Sequence, residues 1–200
     1  MSMRVLKKMV KLNKMELLKR KQIRLKGYNY SQSGCYFVTI CTQDRKMLFG
    51  NIVGVGRDRP DNAKPEMVLN GMGKIVQSVW QSLPKHHTVE LDQFQIMPNH
   101  VHMIIIITCA LRSTGASRRA PTEYKPTLGF IVGLFKSEIT KQIRVITGNP
   151  EFMVWQRNYY EHVIRDEFEL NKIRGYIKTN PEMWDRDRNN PKFSAPTISK

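Results

Sequence analysis

The sequence predicts an α+β fold, a ferredoxin-like antiparallel sheet with helices packed on one face. Three observations carry this. Short runs of aromatic and β-branched residues alternate with longer segments of helical periodicity. The elements succeed one another as β, α, β, β, α, a β-like segment and α, the pattern of a sheet with helices laid on it. Pro98-Asn99 interrupts two of the β runs with turn chemistry and makes them a hairpin. With 200 residues, 40% of them hydrophobic, the chain is long enough for one domain with its own core.

The first element is an arm. Residues 1–27 hold ten Lys or Arg, Arg24 and Lys26 among them, and one acid, Glu16, so +9 of the net +16 lies there. Met3, Leu6, Val10 and Leu17 recur at helical spacing, which suits either an amphipathic helix or a flexible tail. Such a positive balance calls for a polyanionic partner, and charge alone does not choose between nucleic acid and an anionic membrane. No run of about eighteen apolar residues is present and no secretory h-region opens the chain, so a cytoplasmic protein without a membrane partner is expected. Cys35, Cys41 and Cys109 show no metal-knuckle spacing and are expected to be reduced bystanders.

The body of the chain, 28–184, follows as a single domain, with 185–200 as a C-terminal tail. Tyr36 to Thr42 is aromatic and β-branched, hence a strand. Met67 to Leu83 sets Val68, Met72, Ile75, Val76, Val79 and Leu83 on one stripe, an amphipathic helix closed by Pro84. Thr88 to Met97 is β, and His100 to Ile107 reads as a strand buried on both faces. Residues 109–126, polar and basic, form a loop. Leu128 to Ile146 is a second amphipathic helix, with Ile131, Leu134, Phe135, Ile139 and Ile143 on its stripe. Val154 to Arg165 is an extended aromatic and basic segment, and Asp166 opens a last helix in which Glu169 completes a capping-box-like start and Pro181 forces a stop.

Two groups of residues carry chemistry. Alternate residues of a strand face the same way, about 6.6 Å apart, so His100 and His102 can direct two imidazoles at one ion. With five histidines in the chain, such a pair is weak alone. Its place at the head of an apolar strand strengthens it, because unpartnered imidazoles there would be desolvated. On the last helix Leu170, Ile173 and Ile177 form the buried stripe, Tyr176 lies on its flank, and Asn180 sits one turn beyond, with a side-chain oxygen able to bind a hard cation. The plain structural alternative makes Tyr176 a boundary aromatic and Asn180 a helix-ending residue.

The runs Met97-Pro98-Asn99-His100-Val101-His102-Met103-Ile104, Trp155-Gln156-Arg157-Asn158-Tyr159-Tyr160-Glu161-His162-Val163-Ile164-Arg165 and Ile173-Arg174-Gly175-Tyr176-Ile177-Lys178-Thr179-Asn180-Pro181 occur in this order. On them the sequence resembles the single-tyrosine HUH transposases, and most nearly the REP-associated tyrosine transposase branch, over roughly residues 22 to 184. The resemblance implies that His100 and His102 hold a divalent metal, Mg²⁺ or Mn²⁺. It makes Tyr176 the nucleophile that forms a 5′-phosphotyrosine on single-stranded DNA beside a hairpin or palindromic repeat. Asn180 falls where relatives place a polar third ligand, several of them glutamine. It leaves open a monomer or a homodimer, and a non-cleaving hairpin DNA- or RNA-binding descendant is the rival reading.

Around these groups Arg157, Arg165, Lys172, Arg174 and Lys178, with Arg24 and Lys26 of the arm, are expected to meet phosphates, and Trp155, Tyr159 or Tyr160 to stack on unpaired bases. Tyr159 and Tyr160 are alternative nucleophiles. Glu161 and His162 form a candidate acid–base pair, although a histidine in such a strand is more often hydrogen-bonded and structural. The decisive expectation is spatial. Tyr176 and Asn180 must fold against the sheet face that bears His100 and His102, with Tyr176 within about 10 Å of the pair, unless a helix moves or a partner chain supplies it.

Overall fold

A computed structural model describes residues 33–54, 64–86, 89–108 and 126–192; the arm with Arg24 and Lys26, Cys109, most of the 109–126 loop and the last eight residues lie outside them. Among the described residues there are six strands: β1 (Gly34–Cys41), β2 (Gly50–Val53), β3 (Glu66–Leu69), β4 (Val89–Met97), β5 (His100–Ile107) and β6 (Tyr160–Ile164). Three α-helices accompany them: α1 (Gly71–His86), α2 (Leu128–Thr147) and α3 (Glu167–Thr179). The main sheet runs β4-β5-β1-β6, antiparallel throughout, and β2 and β3 pair separately. Of the four main strands, the second lies beside the third, the third beside the first and the first beside the fourth. This is the order of two interleaved β-α-β units, β1-α1-β4 and β5-α2-β6, as the α+β reading requires.

Strand alternation gives the sheet two coats. Tyr36, Val38 and Ile40 of β1 and Val101, Met103, Ile105 and Ile107 of β5 join Val76, Val79, Trp80 and Leu83 of α1 and Ile131, Phe135 and Ile139 of α2 in the main core. The alternate residues Phe37, Ile104 and Ile164 meet Ile177, with Leu170 and Ile173 beside it, on the other side. The expected placement of all helices on one face is therefore amended, since α3 covers the face that α1 and α2 leave. The physical reason is already in β5, whose residues are almost all buried and so need a cover on each side.

The expected helix from Met67 begins later. Met67 to Leu69 pair with β2, and Val68, which fitted the helical stripe, is 52% exposed. Asn70 then caps α1, its Oδ1 accepting from the Gly73 N–H at 3.0 Å. Gly73 is required there, because a Cβ would stand 2.2 Å from the Phe49 carbonyl oxygen. Pro84 lies inside the last turn of α1 rather than after it. The Pro98-Asn99 turn joins β4 and β5 as expected, with Met97 opposite His100.

Two further departures bear on the site. The extended segment from Val154 is a strand only over Tyr160–Ile164, while Trp155 makes an isolated bridge to Thr42 at the end of β1. The chain beyond α3 does not leave as a tail at once: it turns through a 3-10 segment, Asn180–Arg186, and continues against the β4–β5 turn, with Asn189 and Asn190 buried.

Candidate active site

His100 and His102 open β5 on the α3 side of the sheet, and both are buried. Their Nε2 atoms are 3.0 Å apart, and Oδ2 of Asp187 stands 3.5 Å from Nε2 of His100. One ligand atom from each of His100, His102 and Asp187 lies within 4.8 Å of the others, a grouping that could hold a metal ion. Asp187 falls in the segment expected to be a tail, and only Trp184, an aromatic anchor three residues earlier, signals in the sequence that this segment is packed.

The hydrogen bonds around the pair determine where the protons sit. Asn99 donates through Nδ2 to the carbonyls of Arg45 and Asn189, so its Oδ1 must accept from Nδ1–H of His100, at 2.8 Å. That places the lone pair of His100 on Nε2, facing His102 and Asp187. Nδ1 of His102 is 2.8 Å from Oγ1 of Thr39, a hydroxyl that can donate or accept. With no cation, His102 must carry its proton on Nε2 and give it to His100. With one, Thr39 accepts from Nδ1 instead and both Nε2 lone pairs turn to the ion. Orientation of ligand imidazoles by such outer partners is a common feature of metal sites.

Electrostatics favour the neutral, ligating form. Burial pushes His100 down to about 3, reinforced by the positive charges of Arg45 and Arg188. His102 is held well below its ordinary range, first by burial and then by His100, with Asp187 opposing. The His100–Asp187 contact is therefore no ion pair: a carboxylate oxygen and an imidazole lone pair face each other, which a cation would reconcile. Asp44 and Arg45, beside the pair, both adopt left-handed backbone, φ 54° and 53°, conformations that non-glycine residues hold at a cost and that cluster at functional sites.

Helix α3 brings Tyr176 to the same place. Its ring centroid is 5.3 Å from that of His102 and 6.1 Å from that of Phe37, and Phe37 stacks on His102. Tyr176 and the pair thus meet within one chain, well inside the distance that would have required a moving helix or a partner. Burial raises the Tyr176 phenol above its ordinary value; a hydrogen bond from the Asn180 amide opposes this, and the charges of Asp187 and Arg188 act in opposite senses. Asn180 is 3% exposed, and its Oδ1 is buried without a hydrogen-bond partner, an acceptor that a cation would satisfy.

The remaining candidates divide by strand face and by partner. Tyr160 lies opposite Thr39, on the site face, 40% exposed and 6.1 Å from Phe37. Tyr159 packs against the main core. Trp155, expected to stack on bases, is 7% exposed and wedged between Phe49 and Phe135. Glu161 lies opposite Val38 on the side covered by α1 and α2 and His162 opposite Phe37 on the α3 side, so they form no acid–base pair. His162 instead meets Glu169 at 2.7 Å and ties β6 to α3.

Arg174, expected on phosphate, is held by Asp92 of β4 through Nε at 2.9 Å and Nη2 at 2.5 Å. Helical periodicity shows which way a side chain points but not what crosses its path. Arg157, Arg165, Lys172 and Lys178 are exposed. The free thiols Cys35 and Cys41 are both raised by burial, which keeps them protonated and inert.

No family model matches the chain. It is 38% identical over 180 residues to an uncharacterised protein of Haemophilus influenzae, spanning 84% of this chain and 92% of that one. A second protein of the same organism, provisionally named a REP-associated tyrosine transposase, is 22% identical over 157 residues, 76% of this chain and 73% of its own. Among solved structures, a REP-associated tyrosine transposase bound to a REP hairpin aligns over 79% of this chain and 72% of its own, at 16% identity and TM-score 0.45. A protein of Deinococcus radiodurans R1, provisionally named a transposase, aligns over 78% and 95% at 16% identity and TM-score 0.37.

Proposed function

We propose that the chain is a REP-associated tyrosine transposase, of the single-tyrosine HUH family, on its likeness to a relative provisionally so named, and that it is a metal-dependent single-strand DNA endonuclease and strand transferase with Tyr176 as its nucleophile. The observation that carries the reading is the meeting of Tyr176 with His102, at 5.3 Å between ring centroids, seventy-four residues apart in sequence, beside a third potential ligand. Its substrate is single-stranded DNA folded into a hairpin, the form a palindromic repeat takes, and it acts as a monomer or a homodimer.

His100 and His102 through Nε2 and Asp187 through Oδ2 would hold a divalent ion, Mg²⁺ or Mn²⁺, with Oδ1 of Asn180 as a further donor. The donor set fits, because a carboxylate and an amide oxygen add hard ligands to two imidazoles that burial keeps neutral. Bound there, the ion supplies Lewis-acid polarisation of a phosphate oxygen. Tyr176 Oη attacks the phosphorus of the scissile linkage, the bond to the 3′ oxygen breaks, and a 5′-phosphotyrosine and a 3′-hydroxyl result. The phenolic proton leaves through the exposed half of Tyr176, and the departing 3′ oxygen takes one up. Arg45 and Arg188, both exposed beside the pair, would draw the phosphate in, with Lys172, Lys178 and Arg165 on the flanks. Burial raises the Tyr176 phenol above its ordinary value, and its proton is given up as it attacks.

The test is to incubate the protein with Mn²⁺ and labelled hairpin strands made from the inverted repeats that flank its coding region. A covalent adduct mapping to Tyr176 is expected, and Tyr176→Phe forms none. Failure of the wild-type protein to form an adduct on any such hairpin, with binding intact, would instead mark a descendant that grips DNA without cutting it.

A further inference from the structure

On the α2 side of the sheet, away from the histidine pair, a groove of about 800 Å³ runs between α2 and the segment that leads from it to β6. Its wall carries Lys141, Arg144 and Arg157, its apolar surface comes from Phe152 and Met153, and no carboxylate lines it. The side chains of Lys141 and Arg157 have no hydrogen-bond or ion-pair partner among the described residues, and Arg144 uses only Nε, on the Phe152 carbonyl at 3.2 Å. Met153 is 62% exposed and Val145, at the edge, 76%. Trp155 lines the same groove, with its indole Nε1–H buried.

The groove was built rather than left over. Lys136 reaches across with Nζ to the carbonyls of Gln156 and Arg157, at 2.6 and 3.1 Å, pinning the far wall to α2. That wall is in turn fastened to the end of β1, through the Thr42–Trp155 bridge and the Gln156 N–H to the Cys41 carbonyl at 3.0 Å. Cys41 pairs with His100, and Thr42 donates to the carbonyl of Asn99. The groove and the histidine pair therefore flank the same end of β1 on opposite faces of the sheet.

We propose that this groove is a second nucleic-acid contact, which holds a single strand where it passes from the Tyr176 site around the end of β1. Unopposed cations meet its phosphates, and the apolar surface of Phe152 and Met153 carries a base. The identity of the polymer rests on the reading of the chain as a DNA-processing enzyme; the site itself does not depend on cleavage.

The experiment uses the full chain carrying Tyr176→Phe in a metal chelator, so that only binding is read, with fluorescein-labelled oligo(dT) as the probe and anisotropy followed over a salt series. Lys141→Ala with Arg157→Ala should weaken binding about tenfold and lower the slope of log affinity against log salt by about 1.4, roughly 0.7 for each phosphate lost. Removing two exposed charges elsewhere, Lys74→Ala with Lys85→Ala on α1, should change affinity by less than about threefold. Equal losses in the two double variants, or no loss in the first, would overturn the groove. A wild-type protein that forms no adduct while the groove variant loses binding would sink the cleavage reading and leave the groove standing.

Discussion

Asn99 shows how much of the site rests on single side chains. Its two N–H groups hold the Arg45 and Asn189 carbonyls, and its oxygen then has one task, to orient His100. Asp187 is the neighbouring test. If it is a ligand, Asp187→Ala lowers Mn²⁺ affinity by about ten- to a hundredfold in calorimetry, a loss of the order known for disturbed metal surroundings. Unchanged affinity would transfer the third position to Asn180. The imidazoles make a prediction about acid. Both rings are neutral above pH 6.5 whether the chain is folded or not. As pH falls from about 6.5 towards 3, the unfolded chain takes up protons that buried His100 and His102 refuse, so stability declines across that window. Urea midpoints should drop between pH 7.5 and pH 5 without metal, and the double substitution to asparagine should flatten the drop. A midpoint indifferent to pH would mean that the rings are open to solvent.

At the scale of elements, α3 is the part that must be placed well, since it carries Tyr176. The Asp166 side chain caps it at Glu169, the Glu169 carboxylate accepts from the Arg165 N–H and meets His162, and Arg174 clamps it to β4. Only Ile177 is wholly buried along it, in the small cluster with Phe37, Ile104 and Ile164. So thin an apolar seat makes the polar ties the means of setting its position. Arg174→Ala should therefore slow adduct formation on saturating DNA while leaving the salt slope of binding as it was, because the guanidinium holds the helix and does not touch phosphate. A flatter salt slope in that variant would restore Arg174 to the DNA-contacting set. The start of this helix was legible in the sequence because capping is a local pattern, Asp166 followed by Glu169. Its face was not, because that depends on which side of the sheet the other two helices already occupy.

The described part of the molecule is a sheet clad on both sides, with the candidate site at one end and on its thinner side. The larger core under α1 and α2 gives a rigid floor, and the segment after α3 returns to close the site over the β4–β5 turn. No described helix is long and apolar enough to cross a membrane. More than half of the net positive charge, +9 of +16, lies in residues 1–27, outside the described residues, and its proposed role is tested by length. Removing residues 1–21 should weaken hairpin binding and reduce its salt dependence, since fewer condensed counterions are released. A salt slope unchanged by trimming would mean that the arm does not touch nucleic acid.

What the sequence determined by itself was everything written in neighbouring residues. The strand from Tyr36, the Pro98-Asn99 hairpin, the α2 stripe and the Asp166 cap all follow from periods of two and 3.6 or from one side chain reaching its own backbone. The candidate pair His100 and His102 and the tyrosine at 176 were visible too, as motifs in order. Only the tertiary structure decided which of these meet. It set Tyr176 against His102. It spent Arg174 on Asp92, buried Trp155, and brought Asp187 to the histidines from a stretch with no periodicity to announce it. Each of these depends on strand register and on which face a helix covers. Those are settled by pairing and burial between segments far apart in the chain, and no local pattern records them.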